Sequence, residues 1–236
     1  MRTLISVVCV LVLYVSASAA FAAGVKEVGV GLKLGKAAKT TNLDAVKNNI
    51  SSISSTSSLS ESSMFLGADI FFEHNFNERF ALGGKLGYET VGKDELSFRI
   101  RPPSSLAGRY NLKMEQNIFP LSVYGKLNIF EFFNIYGGGG LSWAFSTFKD
   151  GPQKYKDNKI FPHLVFGAEV RVSRAIGLGV DFKYSKNAKL DGHGYPKIFS
   201  KDIVDDLNGL SWGVQFRYYF EIESRKQPQG YTAANS

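Results

Sequence analysis

Between residues 210 and 220 the chain sorts by odd and even position into two chemically opposite classes. Leu210, Trp212, Val214, Phe216, Tyr218 and Phe220 form one; Ser211, Gly213, Gln215, Arg217 and Tyr219 form the other. Alternation with a period of two marks a β-strand with two different faces. The same split recurs in seven further segments, and its polar half carries full charges. Strands that are apolar on one side and charged on the other suit a barrel with a greasy outside and a charged inside, which is stable only in a membrane. The reading is all-β: an eight-stranded antiparallel up-and-down transmembrane β-barrel.

The N-terminus points to export. Arg2 supplies a positive charge, residues 4–15 an apolar run too short to span a bilayer, and Ala20, Phe21 and Ala22 a small-residue exit of the A-x-A kind. Cleavage after Ala22 is expected, leaving a barrel over residues 23–220 and a short periplasmic tail over 221–236. The competing reading, an uncleaved anchor, suits neither the short run nor its exit. The single cysteine, Cys9, falls in the leader. The exported domain is thus held by something other than disulfides, and a closed hydrogen-bonded barrel is one answer. Hydropathy alone would read the remainder as soluble, but barrel strands need only about 9–11 alternating residues each.

Parity places the strands at residues 26–35, 65–74, 80–89, 119–129, 135–147, 161–172, 176–185 and 210–220. Connections alternate between short (75–79, 130–134, 173–175) and long (35–64, 91–117, 149–160, 186–209). Short periplasmic turns and longer extracellular loops are the asymmetry of outer-membrane barrels, which puts both termini in the periplasm. The serine-rich tract 51–63 reads as flexible and unlikely to pack. A short helix capped by Ser200 is expected over 199–207.

The polar parity class holds Glu27, Asp69, Glu73, Glu89, Glu169 and Asp181 against Lys33, Lys85, Lys126, Arg171, Lys183 and Arg217. Six carboxylates face six bases. An eight-stranded barrel has an interior that side chains fill, and buried charges without partners are costly, so a paired, closed lumen is expected. Glycines on the same face, Gly29 and Gly83 among them, make room for the long chains. The alternative is a narrow channel or small-solute transport barrel. A soluble lipocalin-like barrel would share the alternation with the faces exchanged. Aromatic placement separates the two. Phe76, Phe80, Phe130, Phe132, Phe133 and Tyr136 crowd the tight-turn end, while Tyr88, Trp143, Phe145, Tyr184 and Trp212 lie toward the long-loop end. Two such bands are the interfacial girdles of a membrane barrel.

With these features the chain resembles the small outer-membrane β-barrel proteins of Gram-negative bacteria, the OmpA, OmpX and OmpW type. Ser211, Gly213, Phe216 and Tyr218, ahead of Phe220, match the family's C-terminal insertion signal. The resemblance implies that the barrel-assembly machinery reads this strand during insertion. The chain departs from many members by continuing past Phe220.

No catalytic, cofactor or metal constellation emerges. His74 reads as interfacial, His163 faces the lumen near its extracellular rim, and His193 lies in the last long loop beside Asp191. Some barrels of the resembled type act on lipid A, and His193 with Asp191, or His163 with a nearby serine, could be cast in that part, but no spacing supports it. Net charge is +7, and one unit leaves with Arg2. A balanced lumen puts the excess on loops and rims. Arg99, Arg101, Arg109 and Lys113 in the second long loop, and Lys149, Lys154, Lys156 and Lys159 in the third, are candidates to contact lipopolysaccharide phosphates. The expected partners are outer-membrane lipid and lipopolysaccharide, not nucleic acid, and the expected state is a monomer. Specific roles, whether structural, adhesive or interactive, are expected in the loops.

Overall fold

A computed structural model describes residues 27–51, 54–102, 107–190 and 204–221. The expected signal peptide, His193 with Asp191, most of the expected tail and residues 199–203 lie outside these. In chain order the elements are β1 (Glu27–Lys36), β2 (Thr40–Thr41), α1 (Leu43–Ile50), β3 (Ser54–Ser60), β4 (Met64–Asn75) and β5 (Phe80–Ile100). There follow β6 (Gly108–Phe130), β7 (Phe133–Asp150), β8 (Gln153–Arg171), β9 (Ile176–Ser185), β10 (Lys189–Leu190), β11 (Asp205–Asp206) and β12 (Gly209–Glu221).

Eight of the strands close a ring. β1 pairs with β4 on one side and β12 on the other, β12 continues to β9, β8, β7 and β6, and β6 returns through β5 to β4. Every neighbour is antiparallel. Closure satisfies the backbone groups that an open edge would expose to lipid. Parity sets the faces: Leu32 and Leu66 are 58% and 60% exposed on the outside, whereas Lys33 and Asp69 retain 5% and 4% inside. No described helix is long and apolar enough to cross a membrane; the strands make the crossing.

The turns at one end are tight. The Asn77 side-chain carbonyl accepts from the backbone of Arg79 and Phe80 at 2.8 Å each, an Asx turn. Ser173 Oγ accepts from Ala175 and Ile176 in the same way.

At the other end the strands run on well past the expected barrel. β5 and β6 continue paired to Ile100 and Gly108, so the second long loop is largely a hairpin. The third long loop is also mostly strand, because β7 and β8 stay paired from Phe133–Val170 to Asp150–Gln153. Gly151 turns that hairpin with φ +55°, a conformation glycine adopts without a Cβ penalty.

Two local expectations are corrected. The serine tract is not loose: β3 pairs with residues 95–100 of β5, its polar side chains costing the backbone ladder nothing. Residues 205–206 are a strand rather than the end of a helix, since they pair with β10 and β2 in a small three-stranded sheet. Among the described residues the helix is α1, whose Leu43 and Val46 are buried.

Two apolar layers fill the outer end. Ala37, Phe65, Val91, Ile118, Ala144, Phe161, Ala188, Leu190 and Leu207 pack inside the mouth. Farther out, Leu43 and Val46 of α1 pack on Leu96, Phe98, Ile100, Leu112, Met114 and Phe148 from the extended hairpins. The small sheet and α1 thus roof the barrel.

Candidate functional site: a filled lumen under a roofed mouth

All twelve charges assigned to the lumen point inward, and each has an ion-pair partner. They sort into three groups, each neutral. Nearest the tight turns, Arg171 pairs with Glu27 and, at 3.7 Å, with Glu169. Arg217 joins Glu169 at 3.0 Å and Glu73 at 3.8 Å, and Lys126 meets Glu73 at 2.6 Å. Three acids balance three bases there.

In the middle, Lys33 bridges Asp69 and Asp181 at 2.8 Å each, and Lys85 meets Asp181 at 3.0 Å. Above them Lys183 pairs with Glu89.

Neutral side chains complete the network, and most were not singled out from the sequence. Tyr124 donates to Glu73 at 2.8 Å, Tyr219 to Glu169 at 2.6 Å and Tyr136 to Asp181 at 3.0 Å. Gln215 donates to Asp69 at 3.1 Å. The Arg217 guanidinium is fully buried, and its Nε and Nη2 have no hydrogen-bond partner among the described residues. Instead its plane lies 4.8 Å from the Tyr136 ring and 5.0 Å from the Phe71 ring. Cation–π attraction substitutes for the missing bonds. Tyr136 is therefore a lumen residue, not part of the girdle in which the sequence reading put it. The signal that could have found it is parity, since it shares a face with Asn134 and not with Ile135.

Glycine leaves the room these rings need. A Cβ on Gly83 would stand 2.5 Å from the Tyr124 ring.

Farther up, His163 is clamped between two hydroxyls, Ser122 Oγ at 2.8 Å from Nε2 and Ser142 Oγ at 2.9 Å from Nδ1. It is 4% exposed, and among the described residues its two ring nitrogens are both taken by these hydroxyls. The cavity lined by Lys33, Lys85, Glu89, His163 and Asp181 measures about 10 Å³, the space of a single water. At the tight-turn mouth the interior widens to an open vestibule of about 630 Å³, lined by Glu27, Arg79, Lys126, Asn128, Phe132 and Arg171. Among the described residues no group of His, Cys, Asp or Glu is arranged to hold a metal ion.

Outside, Phe80, Phe130 and Phe132 are exposed at the turn end, and Phe133 is half-buried there. Trp143, Tyr184 and Trp212 are exposed at the loop end, with Phe145 half-buried beside Trp143 at a ring distance of 4.3 Å. In β12, Phe216, Tyr218 and Phe220 face outward, while Ser211 is buried and its Oγ accepts from the Ala38 backbone at 2.9 Å. Gly213 lies against Gly35 of β1.

The loop cations divide. Lys113 pairs with Glu95 at 3.3 Å, Lys149 with Glu115 at 2.9 Å, and Lys159 donates to the Lys189 carbonyl at 2.8 Å. A hydrogen bond from Asn111 and the Lys113 pair hold Glu95, and the Lys149 and Lys93 side chains hold Glu115, below the usual carboxylate range. Arg99, Arg101, Arg109, Lys154 and Lys156 are exposed. Register sets Arg109 directly opposite Arg99, and Lys154 opposite Lys149.

The family model for the outer membrane protein beta-barrel domain matches residues 7–220. The chain belongs to this family. It is a transmembrane β-barrel protein of the bacterial outer membrane, with its apolar belt against lipid. Among solved structures it is similar to Ail, the attachment invasion locus protein of Yersinia pestis, at 14% identity over 83% of this chain and 99% of that one, with a TM-score of 0.47. OprG of Pseudomonas aeruginosa gives 10% identity over 84% and 97%, TM-score 0.46. Neisserial surface protein A gives 12% over 84% and 97%, TM-score 0.46. No curated protein matches the sequence. The assignment rests on the family model and on the closed ring of eight strands.

Proposed function

We propose that this barrel is a closed, non-enzymatic, monomeric frame that carries a structured extracellular cap, and that the cap works by contact. One observation carries the reading: the lumen is packed by three neutral ion clusters around a cavity of about 10 Å³. A conduction path needs a continuous wet bore, and a narrow channel would have to break several buried pairs at once. Nor does the interior supply a reaction centre, since His163 is spent on two serines and is shut away from solvent.

Contact begins with the membrane. The exposed Arg99, Arg101, Arg109, Lys154 and Lys156 lie on the outer side of the Trp143 row, at the far ends of the hairpins. Like charges set opposite each other across a ladder repel. A polyanion lying across Arg109 and Lys154 relieves that repulsion, which favours lipopolysaccharide phosphates as the partner. Insertion is assigned to the barrel-assembly machinery, reading Ser211, Gly213, Phe216, Tyr218 and Phe220 on β12.

Planar-bilayer recording tests the closed frame. The expected record is flat, and steady, reproducible conductance steps would defeat it. Association with lipopolysaccharide should weaken in raised salt and with phosphate-stripped lipopolysaccharide; indifference to both would remove that partner.

A further inference from the structure

A second buried polar cluster lies above the lumen, apart from the twelve paired charges. Asp205 on β11 is fully buried in the roof, and neither of its carboxylate oxygens has a hydrogen-bond partner among the described residues. Gln116 of β6 and Ser146 of β7 face it, each about 1% exposed. Their side-chain atoms are equally without partners. Two charged groups also face it: Lys39, from the connection between β1 and β2, and Asp94 of β5. Those two are already committed to each other at 2.9 Å, and Lys39 also donates to the Gly92 carbonyl at 2.8 Å.

The charges decide what Asp205 must be. One lysine against two carboxylates leaves the pocket short of one positive charge. Ionised Asp205 would be a buried anion beside Asp94 with no cation of its own, a costly arrangement. A protonated carboxyl removes that charge and gains an O–H, for which Gln116 Oε1 and Ser146 Oγ are idle acceptors.

Asp205 also holds the roof together. β11 is the middle strand of the small sheet, pairing Asp205 with Thr41 of β2 and with Leu190 of β10. One residue earlier, Val204 N donates to the Asn42 side chain at 2.9 Å. The first and last extracellular connections are therefore joined through this residue.

We propose that Asp205 is a protonation latch: as the neutral acid it seats the β2–β11–β10 sheet over the barrel mouth, and its ionisation loosens that sheet. Burial, with the Asp94 carboxylate adding to it, pushes the carboxyl up from 3.8 to about 7, Lys39 and the facing Gln116 and Ser146 side chains offsetting only part of the effect. With the sheet released, the group returns to an ordinary carboxylate. Between those two values the seated form holds a proton that the released form has lost, so seating weakens as pH rises. The dependence is about tenfold per pH unit from about pH 4 to about pH 7, and flat above, where both forms are ionised.

Hydrogen exchange on the full-length protein in lipid, corrected for intrinsic rates, tests the latch at the backbone of residues 40–41, 189–190 and 205–206. Protection should fall by up to about tenfold per pH unit over that window, with the barrel strands unchanged. In Asp205→Asn, a neutral side chain of the same shape, protection of the same residues should lose its pH dependence. A flat wild-type profile, or an Asp205→Asn variant that keeps the slope, overturns the proposal. So does recovery of protection at about pH 8 on adding Ca²⁺ alone, since the missing charge would then belong to a cation and not to a proton. The result bears on the roof only and is independent of lipopolysaccharide binding and of conductance.

Discussion

Lys33 on β1 and Asp181 on β9 meet at 2.8 Å across the intervening strand β12. The pair reaches past one strand of the wall, and the lumen itself is crossed from β5, four strands from β9 in the ring. Asp181 also takes Lys85 from β5 and the Tyr136 hydroxyl from β7, so one carboxylate ties together four strands of the ring.

Asp181→Ala therefore leaves Lys85 without its carboxylate and Lys33 with Asp69 alone. Breaking a buried pair by removing one partner costs about 3–5 kcal/mol. Urea unfolding in lipid vesicles, followed by the heat-modifiable gel shift of folded barrels, should show that loss. Asp181→Ala combined with Lys85→Met should recover part of it, because the stranded charge is gone.

Gly83→Ala probes the packing of the rings. Its Cβ would press on Tyr124, whose hydroxyl is held by Glu73 at 2.8 Å. Overpacking of this kind costs about 1–3 kcal/mol. The same unfolding assay reads it, with Gly125→Ala as the comparison, since nothing lies within 4 Å of a Cβ there. Equal behaviour of the two variants would contradict a tightly filled interior.

The chain has two tryptophans, Trp143 and Trp212, both exposed at the loop end of the belt. Lipids brominated near the headgroup should quench their fluorescence more strongly than lipids brominated near the chain terminus. The reverse order would put this band at the membrane centre and remove the girdle.

Ser58→Pro tests β3. Ser58 is opposite Ser97 in the ladder to β5, and proline both deletes an N–H and disfavours the pairing. Exchange protection over residues 54–60 should be lost while the heat-modifiable shift of the barrel stays. Loss of both would make β3 part of the barrel's own stability.

Much of the barrel was legible in the residues. Parity identifies eight membrane strands, and β9 matches its expected bounds, because alternation is a local property set by the pleat. The inward set of charges follows from the same parity. The strand ends did not follow: beyond the membrane β5 to β8 leave lipid and the two faces exchange character, the outer one carrying Glu95, Arg99, Arg109 and Lys113 while the inner one turns from charged to apolar at Leu96, Phe98, Leu112 and Met114. Low-complexity composition hid β3 for a related reason, since a serine tract carries no periodicity although its backbone pairs as well as any other.

By itself, then, the sequence determined the ring of strands, which side chains enter the lumen and which meet lipid. Only the tertiary structure decided the partners. Lys33 reaches Asp181 because strand registers accumulate around a closed ring, and no local pattern encodes that sum. The roof was decided the same way: Thr41, Leu190 and Asp205 are far apart in the chain, and their adjacency depends on where the barrel brings the first and last connections together.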